Sequence, residues 1–321
     1  RPNQPRPSGT LALPGDAARL RFLLDDTGTA MLHDPHEATL TAVAHIRHPA
    51  YVLLAPEEQA ARVHGWGRAL AGIGNAGGVR IQVLEQTLPD AGQGIVGWWH
   101  THRPNPFAGA PRWPVEQYDQ LMDTAVPSTS THRTLIALTL DLRATRSHIR
   151  QAGRGLAGAA ALLRQEMTSL ENGLRGAELT LTGWMSELQL AAVLRAAYQP
   201  GHDDTPTLGG LATAGPMAVD EHWAHIRHDD AYSAVLWISE WPRVEAPTHF
   251  LHTLVFQPAI RKTLSLSIEP VPVHVAMREI RRAKVELVTE AAQKAKIGAI
   301  ADLADTVEHT DVLEREQALV A

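Results

Sequence analysis

The chain has 321 residues, 44% of them hydrophobic and 20% charged, which is enough for two ordinary domains and a sizeable core. Its net charge of −6, from 35 acidic and 29 basic residues, carries no nucleic-acid signature, and with no cysteine it can have neither disulfides nor thiolate metal sites. No apolar run reaches the roughly 18 residues a membrane-spanning helix needs, and no signal-peptide pattern opens the chain.

Arg1–Pro14 is proline-rich and reads as a loose lead, with residues 1–16 taken as a linker. It opens on Arg1 rather than methionine, so a trimmed or processed product is expected. Arg19–Leu24, Ala30–His33 and Ala38–His48 read as strands, with Asp25-Asp26-Thr27-Gly28 as the first turn. Pro56-Glu57-Glu58 opens a helix that runs through Val63, Trp66, Leu70 and Ile73 to Gly74. Val79–Leu88 is a predicted strand, and helices are expected near Gly94–His100 and Val115–Ala125. Thr134–Leu142 follows as a strand, Leu156–Leu174 as a helix and Ala177–Thr182 as a short strand. Ser186–Tyr198 is a helix opened by a serine cap with Gln189 three residues on.

Gln199–Pro216 is rich in proline and glycine and marks the best boundary. It separates a module at 17–200 from one at 217–321, with 201–216 as linker. In the second module Met217–His228 and Ala231–Trp241 read as a hairpin, Pro247–Phe256 as a helix and Arg261–Glu269 as a strand. A helical stretch of roughly fifty residues follows Pro272, about 65–75 Å if continuous, with a bend expected at Gly298. Its apolar stripe Met277, Ile280, Leu287, Ala291 and Ala295 is expected to pack on the module's own sheet. Strand-strand-helix-strand-helix is a ββαβα sandwich, and the first module has the same flavour. The fold class expected is α+β, two modules with ferredoxin-like split βαβ elements and a long C-terminal helix.

Several patterns could carry chemistry. Gly72-x-Gly74-x-x-Gly77 matches the dinucleotide fingerprint in letters, but it closes a helix and precedes a strand, so no helix amides face a pyrophosphate; it reads as a glycine-rich helix stop. No Gly-Lys dipeptide occurs, which excludes a phosphate-loop ATPase within this sequence. Trp98-Trp99-His100-Thr101-His102 looks like the His-x-His pair of JAMM-type zinc isopeptidases, and Asn105-Pro106-Phe107 is reminiscent of them too. The third ligand departs from that pattern: position 113 is Trp113, and the nearest later aspartate is Asp119. The plainer reading is a surface helix end with two solvated imidazoles.

Glu221, His222, His225 and His228 form a second histidine patch. A strand would put His222 and His228 on one face and His225 on the other, as polar positions of a partly exposed strand. Arg278, Arg281, Arg282 and Lys284 read as a solvated helix face, or more sharply as a docking or membrane-surface contact. Arg282–Glu286 and Glu290–Lys294 are spaced to pair. Trp66, Trp184, Trp223 and Trp237 fall in periodic segments and are expected in the core, while Trp237-x-x-x-Trp241-Pro242 could be core rim or interface anchor.

Four stretches carry a family resemblance. They are Tyr51–Leu54 with Pro56–Gln59 and Val63-x-x-Trp66-Gly67-x-x-Leu70; Val83–Asp90; Asp230-Ala231-Tyr232 with Trp237-x-x-Glu240-Trp241-Pro242-Arg243; and Arg261–Pro272. In order and spacing, from about Leu20 to Ala321, the chain resembles an actinobacterial family of membrane-anchored proteins. These are encoded beside a small PrgI-like membrane protein and a Vir-type ATPase of conjugative type IV secretion systems. The second module is also similar to the N-terminal, non-motor domain of those ATPases. The resemblance implies a non-catalytic scaffold at the cytoplasmic face of the cell membrane, anchored through a preceding segment. It implies the secretion ATPase and inner-membrane complex subunits as partners, leaves a homo-oligomer open, and points to no direct nucleic-acid contact. It carries over no catalytic, cofactor-binding or metal residue, and no cofactor is expected. The alternatives are a zinc-dependent isopeptidase using His100 and His102, and a subunit of the type VII secretion membrane complex.

Overall fold

A computed structural model describes residues 11, 13–48, 51–74, 77–89, 95–104, 111–125, 130–200, 209–242, 246, 250–257, 260–297, 309–310 and 312–317. Its strands are β1 (Arg21–Leu24), β2 (Ala30–Asp34), β3 (Thr39–Arg47), β4 (Val79–Pro89), β5 (Ser130–Asp141), β6 (Thr180–Trp184), β7 (Val219–Glu221), β8 (Ile226–His228), β9 (Ala231–Ser233) and β10 (Lys262–Ile268). Its helices are α1 (Pro56–Gly74), α2 (Ile95–His102), α3 (Arg112–Ala125), α4 (Arg146–Gln151), α5 (Gly155–Gly176), α6 (Glu187–Tyr198), α7 (His252–Val255) and α8 (Val273–Ile297). The class is α+β, as expected.

One antiparallel sheet dominates, in the order β1-β2-β3-β5-β4-β10. β6 lies on the same edge of β3 as β2: β2 pairs with residues 39–42 and β6 with residues 44–47. Two interleaved crossovers build the centre. β3 and β4 are joined through α1 with β5 between them, and β5 and β6 are joined across α5 with β3 between them.

Alternation assigns the two faces of this sheet. On one, Leu40, Ala42, Ala44, Ile136, Leu138 and Leu140 are buried under α1 and α5, which contribute Ile73, Leu163, Met167, Leu170 and Leu174. The stripe that α1 buries is Gly65, Ala69 and Ile73, whereas Val63 is exposed. Gly65 lets α1 approach closely, because a Cβ there would lie 2.9 Å from the Ala177 Cα. On the other face, Val43, Leu135 and Ala137 meet Leu190 and Ala191 of α6. The capping box expected at Ser186 and Gln189 forms at the start of α6.

Four expectations need correction. The proline-rich lead ends in two core residues, Leu11 and Leu13, and the glycine-rich stretch before 217 contributes Leu211 and Ala214 to the same cluster. The third strand of the expected ββαβα sandwich lies elsewhere: β10 pairs with β4, from Lys262↔Thr87 to Ile268↔Ile81, and the small sheet is β7-β8-β9 alone. Residues 234–240, expected as strand, have no regular structure. Of the helix expected over Pro247–Phe256, residues 247–249 lie outside the described residues, and His252–Val255 is helical.

The C-terminal helix also differs from expectation. In α8 Ile280 is buried and Met277 and Leu287 are half-buried, but Ala291, Val285 and Val288 are exposed, so the stripe holds for only part of the helix. The Glu290–Lys294 pair forms at 3.1 Å. Lys284 pairs with Glu316 of the helical segment 312–317, in which Val312 is buried, so the chain returns to α8. The bend expected at Gly298 lies outside the described residues.

Candidate interaction surface

The first pattern to place is His100 and His102, which lie on α2. Successive residues turn by about 100° on a helix, so side chains two apart leave in directions roughly 200° apart. The pair cannot converge on one ion. His102 stacks on Trp98 at 4.7 Å, and its Nδ1 donates to the Trp98 carbonyl at 2.9 Å. Asp119, on α3, is engaged elsewhere: it accepts from Trp99 Nε1 at 2.7 Å and pairs with Arg103 at 3.3 Å. The Trp99 hydrogen bond outweighs burial and, with Arg103, holds the Asp119 carboxyl below its ordinary range. No group of three His, Cys, Asp or Glu side chains fit to hold a metal occurs among the described residues. Asn105-Pro106-Phe107 lies outside them.

Gly72 and Gly74 close α1, and Gly77, with φ +63°, lies in the turn before β4. No helix opens behind these glycines, so they do not form a pyrophosphate cradle.

The second histidine patch is a turn, not a continuous strand. The His222 amide donates to the His225 carbonyl at 2.9 Å, and their rings stack at 4.6 Å. His228, expected at a partly exposed position, is buried. Its Nδ1 donates to the Tyr198 carbonyl at 2.6 Å, and its Nε2 pairs with the Ser233 hydroxyl at 2.6 Å. With both ring nitrogens satisfied, the imidazole fastens the β7-β8-β9 sheet to the end of α6. Asp229 adds a second tie. It accepts from the Met217 and Ala218 amides at 3.0 and 2.9 Å and from the Gln199 amide group at 3.5 Å.

A polar cluster on the α6 face went unnoticed in the sequence. Arg133 on β5 donates from Nε and a terminal nitrogen to the buried Gln86 Oε1, at 2.8 and 2.5 Å. Burial, and next the Arg261 charge, push the Arg133 guanidinium down to about 10. Nearby His45 is pushed down by burial, then by Arg133 and Arg47. These two side chains line an open cavity of about 240 Å³ together with Thr182, Trp184 and Gln189. Its described walls hold no carboxylate, serine or cysteine; the one hydroxyl among them, on Thr182, lies 3.2 Å from His45 Nδ1 and donates to the His45 carbonyl at 3.1 Å. The only signal in the sequence was polar residues at inward positions of β4 and β5.

The most unusual surface lies between 217 and 241. Trp66 and Trp184 pack against the core as expected, but Trp223 and Trp237 do not: they are 104% and 89% exposed. Val235 and Leu236, at 90% and 92%, continue the same run, and Tyr232 is exposed just before it. Large exposed apolar groups in close succession mark association surfaces far more often than scattered ones do. A smaller example is Trp98, Trp113, Tyr118 and Leu121 on α2 and α3.

Three of the stretches that carried the resemblance lie largely on described residues after α1. Val83–Leu88 lies on β4, residues 262–268 form β10 beside it, and Asp230–Trp241 includes the exposed run. No protein-family model matches the chain, and no curated protein matches it either.

Proposed function

We propose that the chain is a non-catalytic scaffolding component of a conjugative type IV secretion machine, held at the cytoplasmic face of the cell membrane by a segment preceding this sequence. There it docks on the inner-membrane complex or on its ATPase. The observation that carries the scaffolding role is the exposed run from Val235 to Trp237, an apolar surface left uncovered among the described residues. The link to conjugation is supported by the four stretches whose order and spacing resemble that family.

The ferredoxin-like part of the reading is supported by the strand order β6-β3-β5-β4 with α1 and α5 as its two crossovers. The likeness of 217–321 to the ATPase non-motor domain draws less support, because β10 joins β4 rather than its own hairpin.

A clean in-frame deletion should abolish DNA transfer, and a complementing copy carrying Trp237→Ser and Leu236→Ser should fail to restore it. Normal transfer by the deletion strain would sink the proposal. Metal analysis tests the competing hydrolase reading directly: stoichiometric zinc in purified protein, lost in His100→Ala, would replace the scaffold with a metalloenzyme.

A further inference from the structure

His228 is buried, whereas Ser233, whose hydroxyl its Nε2 meets at 2.6 Å, is exposed. The other ring nitrogen fixes where the proton sits. The Tyr198 carbonyl can only accept, so Nδ1, 2.6 Å from it, carries the hydrogen. A neutral imidazole has a single N–H, which leaves Nε2 with its lone pair and makes the Ser233 hydroxyl the donor. An exposed hydroxyl, a base within hydrogen-bond reach and a third group that orients the base are the parts of an activated nucleophile. Asp229 favours the proton transfer as well. The Ala218 amide chiefly, and the His228 charge as a lesser cause, hold its carboxyl below the ordinary value, and the same attraction favours the imidazolium that forms when Nε2 gains a proton. A second serine–histidine contact, Ser130 with His132 at 3.2 Å, lacks the orienting group: His132 Nδ1 is buried without a hydrogen bond among the described residues, with Glu85 Oε1 3.6 Å away.

The strand register says what surrounds this hydroxyl. Ser233 lies opposite Ile226, Val219 opposite His228 and Glu221 opposite Ile226, so these side chains share one face of the β7-β8-β9 sheet. Val219 and Ile226 are 37% and 40% exposed and form a small apolar ledge beside the serine. Arg227 takes the opposite face. A face that carries a carboxylate and an apolar ledge, with no Arg or Lys among its strand residues, repels a phosphoryl group and suits an uncharged apolar one.

We propose that Ser233, with His228 as its base, is a covalent modification site that accepts a short apolar acyl group from an activated ester. Ser233 Oγ attacks the ester carbonyl carbon while its proton passes to His228 Nε2. The tetrahedral adduct then collapses, the bond from carbon to the leaving oxygen breaks, and that oxygen takes the proton from Nε2. The products are an ester on Ser233 and a free alcohol, with no change of oxidation state. Acylation consumes the hydroxyl hydrogen, so it removes the donor to Nε2 and leaves the tie from Nδ1 to Tyr198 in place. One acylation per chain is a modification without turnover, and it stands beside the scaffolding role whichever machine the protein serves.

The test uses the purified chain and p-nitrophenyl butyrate, with release of p-nitrophenolate followed by absorbance and the modified residue found by peptide mass mapping. The expected result is one butyryl group per chain, on Ser233, added at least about 10-fold faster than on Ser130 or any other serine in the same digest. Because the chain has no cysteine, no thiol competes for the ester. Ser233→Ala should abolish this labelling, and His228→Gln, if its circular dichroism is unchanged, should slow it at least about 100-fold. Should His228→Gln fail to fold, the partition between Ser233 and Ser130 in the unaltered chain decides the question. Butyryl groups spread over other serines in preference to Ser233, no acylation of Ser233 at all, or a rate at Ser233 unchanged in folded His228→Gln would each overturn the proposal. Faster transfer from p-nitrophenyl phosphate than from the butyrate would overturn the acyl assignment.

Discussion

The main sheet and the segment from 217 to 242 treat similar residues in opposite ways. In the sheet, aliphatic side chains on both faces of β3 and β5 disappear beneath α1, α5 and α6. In the later segment, Trp223, Val235, Leu236 and Trp237 stand in solvent. Composition does not separate the two, because both read as alternating, strand-forming sequence. What differs is the supply of partners. The central strands have neighbours on both edges and helices on both faces, whereas β7-β8-β9 is a small sheet tied to the end of α6 by His228 and Asp229. An apolar side chain stabilises a fold only when something covers it, so this contrast separates a region covered within the fold from one that no described residue covers.

The contrast can be broken most severely in the core. Leu163→Ala empties a fully buried position between α5 and the sheet and should cost about 2–5 kcal/mol in urea unfolding. A loss as small as that of a surface change would mean that this face is not packed as described. Next comes Gly158 at the α4–α5 corner, where an added Cβ would lie 2.5 Å from the Ile149 carbonyl oxygen. Gly158→Ala should cost about 1–3 kcal/mol and should not be rescued by the better helix propensity of alanine.

Asp229 probes the weaker region by pH. The Ala218 amide, acting against burial and joined by Gln199 and Met217, holds its carboxyl below the ordinary value of 3.8. A group depressed on folding contributes stability that is present above its unfolded value and lost as the pH falls through its folded value. The amide resonances of Met217 and Ala218 should therefore titrate with a midpoint below 3.8, and should stay still over that range in Asp229→Asn. A midpoint at or above the ordinary value would remove Asp229 as the tie. The smallest effect belongs to Trp223→Ser, which should change unfolding free energy by less than about 0.5 kcal/mol while removing one large exposed aromatic. A larger loss would place Trp223 in a core.

How much of this was legible in the sequence follows from how local each cause is. α1 begins at Pro56, with Glu57 and Glu58 in its first turn, and ends at Gly74, where the sequence placed both ends. The α6 cap was readable for the same reason, since Ser186 and Gln189 satisfy each other within one turn. The strand at 79–89 and those at the start of the chain were read to within a few residues from their alternation. Legibility failed where the cause was distant. β10 could not be assigned to β4 because its partner lies almost 180 residues earlier, and alternation says which face a residue takes but not which strand lies alongside. Leu11 and Leu211 sit in proline- and glycine-rich stretches that look like linkers, yet the uncovered face beside α6 draws them in. His228 looked solvated until its ring was seen to bridge Tyr198 and Ser233.

The same division holds for the candidate sites. His-x-His is a pattern of letters, and the helix that carries His100 and His102 decides where the imidazoles point. The run at 234–240 has strand propensity whatever surrounds it, but only packing decides whether it finds a sheet. By itself, then, the sequence determined the mixed α+β class, the ends of the capped helices, the alternating faces of the central strands and the lack of a phosphate-loop ATPase signature. Those properties rest on backbone preference, on side-chain spacing along one segment, or on the presence of particular residue types. The tertiary structure alone decided the strand order, the burial of Leu11, Leu211 and His228, and the exposure of Trp223 and Trp237. Each of these depends on whether residues far apart in the chain come to lie side by side, and burial and pairing are properties of that meeting rather than of any residue alone.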